Sequence, residues 1–126
     1  MGKKFKYIAL KLSVSTLFVF LFQTMFGSFN DLFVLNGRSW SEPWRFITSI
    51  FLHGSLAHLI LNLFALVLFG SILERFIGGR RFLIVYISSG IFANFIAVNF
   101  YSASLGASGA IFGVIGSLIF LRPLMV

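Results

Sequence analysis

With 59% hydrophobic residues, 18 phenylalanines and only 10% charged residues in 126, the chain lies far from the roughly 45–50% apolar and 25% charged balance of soluble domains. It is that of an integral membrane protein. Ten lysines and arginines against three acids give a net charge of +7, but they interrupt apolar runs instead of forming a patch interleaved with aromatics, so nucleic acid is not an expected partner and the lipid bilayer is. The absence of cysteine excludes disulfides, thiolate catalysis and a cysteine-bound zinc.

The length suits a single domain over residues 1–126, an all-α bundle of about four transmembrane helices at roughly 20 residues each with short connections. The first apolar segment covers residues 7–26, polar only at Lys11 and a few hydroxyls. Lys3, Lys4 and Lys6 ahead of it imitate a signal peptide, but the run is long and lacks a small-x-small cleavage site followed by soluble sequence, so we read an uncleaved anchor. Residues 27–45 form a connection with Asn30, Asp31, Asn36-Gly37, Arg38, Trp40, Glu42-Pro43 and Trp44-Arg45. At about 18 residues it is longer than a plain helix-helix turn and suits an interfacial lid. Trp44 and Arg45 read most simply as an aromatic-belt and headgroup anchor.

The second apolar segment, 46–73, is too long for one straight span, and Gly54-Ser55 is the natural break before its helix proper. Glu74, Arg75, Gly78, Gly79, Arg80 and Arg81 then read as a tight polar turn, with Glu74 and Arg75 a solvated interface pair. A third segment spans 82–100, the uncharged link 101–106 follows, and a fourth helix runs from Ala107 or Ser108 to about Arg122-Pro123, where proline closes it. An N-terminus in the cytoplasm places Lys3, Lys4, Lys6, Lys11, Arg75, Arg80, Arg81 and Arg122 inside and only Arg38 and Arg45 outside. The positive-inside rule therefore favours a multi-pass protein with both termini cytoplasmic.

The same frame sets depth. Counting back from the inner edge at about 1.5 Å per residue puts Asn62 roughly 18 Å up, Ser108 roughly 21 Å and His58 roughly 24 Å. Three polar side chains thus share one level in hydrocarbon, where such groups are penalised unless they have partners or a task. His58 and Asn62, four residues apart, project from one helix face. Two readings fit that spacing: a hydrogen-bonded pair that glues helices together, or donors for the oxyanion of an acyl-transfer intermediate. Ser108 alone reads first as small-residue packing, since Gly109 and Gly113 form a G-x-x-x-G face that Gly116-Ser117 prolongs. Close approach of segments two and four across those glycines would bring Ser108 toward His58 and Asn62. His53, before the break, does not share the face of His58 and reads as packing or interface anchoring.

Trp44-Arg45, His53, His58-x-x-x-Asn62, Gly70 with Glu74, and Gly106-x-Ser108-Gly109 with Gly113, in that order and spacing, resemble the rhomboid family of intramembrane serine proteases. The resemblance implies that Ser108 is the nucleophile and that His58, Asn62 and the Ser108 N–H form the oxyanion hole. The glycines Gly106, Gly109 and Gly113, with His53, Trp44, Arg45 and Glu74, are expected to support them. It further implies transmembrane protein substrates cut near their outer ends, no metal or organic cofactor, and a bacterial plasma membrane as the location.

Rhomboids pair their serine with a histidine base on a sixth helix, whereas the only histidines here, His53 and His58, both precede Ser108. The expectation is therefore the first four helices of a six-helix core, incomplete at the C-terminus after Leu124-Met125-Val126. Such a chain would need the missing C-terminal helices as partners and be inactive alone. The alternatives are a non-catalytic rhomboid-like protein that grips transmembrane segments, and a generic packing bundle in which Ser108, His58 and Asn62 tolerate apolar replacement.

Overall fold

The structure, a computed structural model, describes residues 5–122; Lys3, Lys4, Pro123 and the final three residues, to which the sequence reading gave parts, lie outside them. Helix α1 (Ile8–Met25) is an apolar rod. A folded connection follows, made of α2 (Phe29–Phe33), the two-residue strand β1 (Leu35–Asn36), a 3-10 turn at Gly37–Trp40, α3 (Arg45–Thr48) and a second 3-10 turn at Ser49–Phe51. Helix α4 (Leu56–Ala65) passes through a π-helical stretch, Leu66–Gly70, into α5 (Ser71–Ile77), giving one 22-residue apolar run. After α6 (Gly79–Ala97) and β2 (Ala103–Ser104) the bundle closes with α7 (Ser108–Leu121).

Among the described residues, α1, the α4–α5 run and α6 are long and apolar enough to cross a membrane, while α7 has 14 residues. A helix that starts below a membrane surface needs fewer residues than the roughly 20 of a full span, because each adds only about 1.5 Å. The all-α membrane bundle expected from the sequence is the observed fold. Its small exception is an antiparallel ribbon pairing Leu35 with Ser104 and Asn36 with Ala103, which ties the first connection to the link before α7.

The break at Gly54-Ser55 is where the second segment divides, since Ser55 caps α4 by accepting the His58 N–H at 3.2 Å. The polar turn after it is shorter than expected. Helix α5 continues through Glu74 and Arg75 to Ile77, α6 already begins at Gly79, and only Gly78, at φ 91°, lies between. A left-handed backbone of that kind is open to glycine at little steric cost.

Glu74 overturns its reading as a solvated partner of Arg75. It is fully buried, and its carboxylate accepts the backbone N–H groups of Lys6 (2.9 Å), Ile8 (2.9 Å) and Ala9 (3.0 Å). The first turn of α1 has no side-chain cap of its own, so an acid from α5 satisfies its orphan donors and complements the positive end of the helix dipole.

The glycines locate the close approaches. A Cβ on Gly70 would lie 3.0 Å from the Ala9 Cβ and 3.1 Å from the Phe82 ring, so α1 and α6 both press on the π-helical stretch. On α7, a Cβ at Gly109 would collide with the Ala93 Cβ and one at Gly113 with the Ser89 side chain, both on α6. The small-residue face therefore closes on the third apolar segment, not the second as the sequence suggested. The reason is that α6 supplies its own small residues, Ser89, Gly90 and Ala93, at the matching level. Buried Ile50, Leu66, Leu73, Phe82, Tyr86, Ala110, Ile111 and Val114 fill the space around that pair.

Candidate active site

Three polar side chains meet where α4 faces the start of α7. The Ser108 hydroxyl, on the first residue of α7, donates to Asn62 Oδ1 at 3.2 Å and lies 3.5 Å from His58 Nε2. Asn62 is buried, while Ser108 and His58 are partly exposed. The Asn62 amide nitrogen donates to the His58 carbonyl at 2.9 Å, so the carboxamide turns its oxygen to the serine. The i, i+4 spacing thus does what helical geometry demands, and the predicted meeting of Ser108 with His58 and Asn62 is the observed one.

The backbone before the serine is held tightly. Gly106 adopts φ 119°, and a Cβ there would stand 2.8 Å from the His58 ring, so only glycine allows the link to pass over the imidazole. Its N–H donates to the Ser49 carbonyl at 2.8 Å. Ser49 is itself fixed, since the amide of buried Asn94 on α6 donates to the Ser49 hydroxyl (3.0 Å) and to the Phe46 carbonyl (2.8 Å). The next N–H, that of Ala107, points at His53 Nε2, 3.4 Å away.

His53 is therefore part of the site's support. It is buried, and its ring stacks edge-on against His58 with centroids 5.1 Å apart. Burial pushes its pKa down from 6.5 to about 4, with the neighbouring His58 adding to the shift and the Phe51 carbonyl opposing it more weakly. The imidazole is neutral near pH 7.

Arg45 departs from its expected role. Its guanidinium is buried and binds the Glu42 carboxylate at 2.7 Å, the Val34 carbonyl at 2.9 Å and the Asp31 carbonyl at 2.8 Å. A planar fork with five donors can staple three acceptors at once, so Arg45 holds the first connection together instead of reaching for lipid headgroups. Trp44 stays half exposed, as a belt residue should, and donates its indole N–H to the Leu32 carbonyl at 3.0 Å.

One supporting residue escaped the sequence reading. Gln23 of α1 clamps the backbone of His53 from both sides, accepting its N–H at 3.0 Å and donating to its carbonyl at 2.9 Å, and also donates to Asn30. The signal was present, since a lone carboxamide in an apolar segment requires partners. Among the described residues no three histidines or acids gather as a metal site would require.

Fold and site together define an integral-membrane helical bundle with a serine hydroxyl set between an imidazole and a carboxamide at a helix start. The family described as Rhomboid domain matches residues 40–125, and the chain belongs to that family. It is 43% identical over 94 residues to the rhomboid-family protein YdcA of Bacillus subtilis (strain 168), covering 72% of this chain and 45% of that one. Rhomboid protease GluP of the same organism is 41% identical over 98 residues, covering 75% and 18%. Inactive RHOMBOID-like protein 8 of Arabidopsis thaliana is 36% identical over 93 residues, covering 68% and 26%. The chain thus spans less than half the length of these curated relatives.

Proposed function

We propose that this chain carries the nucleophile and oxyanion side of a rhomboid-type intramembrane serine endopeptidase that cuts transmembrane segments near the outer membrane face. The observation that carries the reading is the Ser108 hydroxyl at the start of α7, within reach of both His58 Nε2 and the Asn62 carboxamide.

In this reading Ser108 Oγ attacks the scissile carbonyl, and the carbonyl oxygen gathers negative charge in the tetrahedral intermediate. The donors for it are near at hand. The Ser108 N–H belongs to the first turn of α7, where helix N–H groups lack intrahelical acceptors and the helix dipole favours an anion. An N–H on His58 Nε2 and, after a half-turn of the carboxamide, Asn62 Nδ2 supply two more. Removing one such donor costs about 10²–10³-fold in rate in well-studied hydrolases.

The general base is the missing member. His53 is tied to Ala107, and His58 would leave the oxyanion side if it took the serine proton, so the base belongs to helices outside these 126 residues. In this reading the positive-inside rule, with Arg38 and Arg45 as the basic residues of the opposite side, supports a cytoplasmic N-terminus and a serine toward the outer leaflet.

The test is labelling with a serine-directed fluorophosphonate, in membranes, of the protein with its full complement of helices. Labelling that disappears in Ser108→Ala is expected. A folded protein that takes no label would favour instead a rhomboid-like protein that binds transmembrane segments without cutting them.

A further inference from the structure

We propose that His53 is a positioning residue for the Ser108 nucleophile, acting through a bare Nε2 that holds the Ala107 N–H, and that Gln23 of α1 is its anchor. The inference rests on the proposed protease reading for its kinetic consequence, but its geometry stands apart from it. Four contacts form a continuous line. Gln23 grips both the N–H and the carbonyl of His53 at 3.0 and 2.9 Å, His53 Nε2 faces the Ala107 N–H at 3.4 Å, and Ala107 is covalently joined to Ser108. Gln23, His53 and Ala107 sit on three different parts of the chain, so helix α1 reports its position to the nucleophile.

The state of the imidazole follows from the donor it meets. An N–H can only be accepted by an unprotonated ring nitrogen, so Nε2 is bare and the single ring proton of neutral His53 resides on Nδ1. Nδ1 is buried and no acceptor meets hydrogen-bond geometry with it among the described residues, the Phe51 backbone favouring the ring's proton less than burial opposes it. A histidine retained for packing would gain from replacement by leucine or phenylalanine, which bury no unpaired N–H. An imidazole with one nitrogen left unsatisfied is explained by what the other nitrogen holds.

The Ala107 N–H also matters by position. It immediately precedes the Ser108 N–H at the α7 start, and Gly106 on its other side is fastened to the Ser49 carbonyl. With both tethers the peptide between Gly106 and Ser108 has one orientation, and the serine hydroxyl one approach to Asn62. Without the His53 tether the Gly106–Ala107 peptide is free to rotate, and the backbone that leads into the Ser108 hydroxyl loses its single setting.

Two measurements decide the matter in nanodiscs, on the protein with its full complement of helices. In protein labelled with 15N-histidine, the resonances lost in His53→Gln identify His53, and a protonated Nδ1 with an unprotonated Nε2 near pH 7 is the expected pattern. A proton on Nε2 would overturn the proposal. Fluorophosphonate labelling of Ser108 is then compared in His53→Gln, His53→Leu and Gln23→Leu. Glutamine can place a carbonyl oxygen where Nε2 stands, so it should label within about threefold of the parent, whereas leucine should slow labelling by about tenfold or more, the equivalent of one lost hydrogen bond. Equal rates for glutamine and leucine, at matched helical content and thermal midpoint, would sink the positioning role. Should His53→Leu fail to fold, the tautomer and the Gln23→Leu rate still decide. If the parent itself takes no label, the protease reading fails, and Ala107 amide exchange, faster in Gln23→Leu only if the tether is real, tests the latch without it.

Discussion

Glu74 shows how far a charged residue's role depends on what the chain folds around it. A carboxylate beside an arginine at a helix end reads as a surface pair, yet here its two oxygens receive three backbone N–H groups at and just before the start of a helix more than sixty residues away. Removing it leaves three buried or half-buried donors unpaired. We expect Glu74→Ala to destabilise the bundle by about 3 kcal/mol and Glu74→Gln, which keeps one carbonyl acceptor, by less; reversible unfolding in mixed micelles measures both. His53 gives a second test. Its folded pKa, about 4, lies below the ordinary 6.5, so the unfolded chain binds more protons between those values. The stability it contributes is full above pH 6.5, falls as the pH drops and is gone near pH 4. The titratable group facing it is His58, while Gln23 on α1 is neutral. The slope of stability with pH in this window should therefore shrink in His53→Gln; an unchanged slope would show that His53 is already protonated in the folded protein. Ser108, His58 and Asn62 were legible in sequence because hydrocarbon makes polar groups conspicuous. Arg45, Glu74 and Gln23 were misjudged or missed because most of their partners are main-chain groups, which every residue carries and no motif marks.

At the scale of elements, long apolar runs and punctuation by Gly54-Ser55 and Gly78 made the helices readable. The ribbon of β1 and β2 was not, since two residues of backbone pairing impose no side-chain pattern. The π-helical stretch was equally silent: it widens the helix by an extra residue in one turn, rotating α5 relative to α4. On either side of it the one continuous run presents His58 and Asn62 to α7 and Glu74 to the start of α1. The glycine face on α7 was recognised, but its partner was not, because a G-x-x-x-G pattern reports a close contact without saying with which helix. A sharp contrast follows from the packing. Gly113 lies where any Cβ would strike Ser89, whereas nothing stands within 4 Å of a Cβ on Gly116. Gly113→Val should push α7 away from α6, lower stability by about 1–3 kcal/mol as overpacking does, and slow labelling of Ser108 at the helix start. Gly116→Ala should lower neither. Similar losses from the two substitutions would mean that the α6–α7 contact does not single out Gly113, since helix propensity favours alanine and valine over glycine.

For the whole molecule, the distribution of tasks between the two ends of the bundle follows from its charges and its polar clusters. The end that carries Lys6, Arg75, Arg80 and Arg81 is fastened by Glu74 and by Arg75 lying 5.2 Å over the Phe5 ring. The other end holds the serine, its two polar neighbours and the stapled connection that Arg45 keeps in place. In the proposed reading a nucleophile and its oxyanion donors are assembled there, but proton removal from a serine near neutral pH needs an adjacent base, worth about 10²–10⁴-fold. Neither histidine is free for it in this arrangement. We therefore expect these 126 residues, reconstituted in liposomes with a transmembrane substrate, to give no cleavage, and cleavage to appear when a second fragment bearing a histidine-containing pair of helices is added. The cleavage should vanish in Ser108→Ala and persist at reduced rate in Asn62→Ala, since the Ser108 N–H remains. Cutting by the 126 residues alone, lost in both Ser108→Ala and His58→Ala, would show that His58 serves as the base and that the oxyanion is held by Asn62 and the α7 backbone.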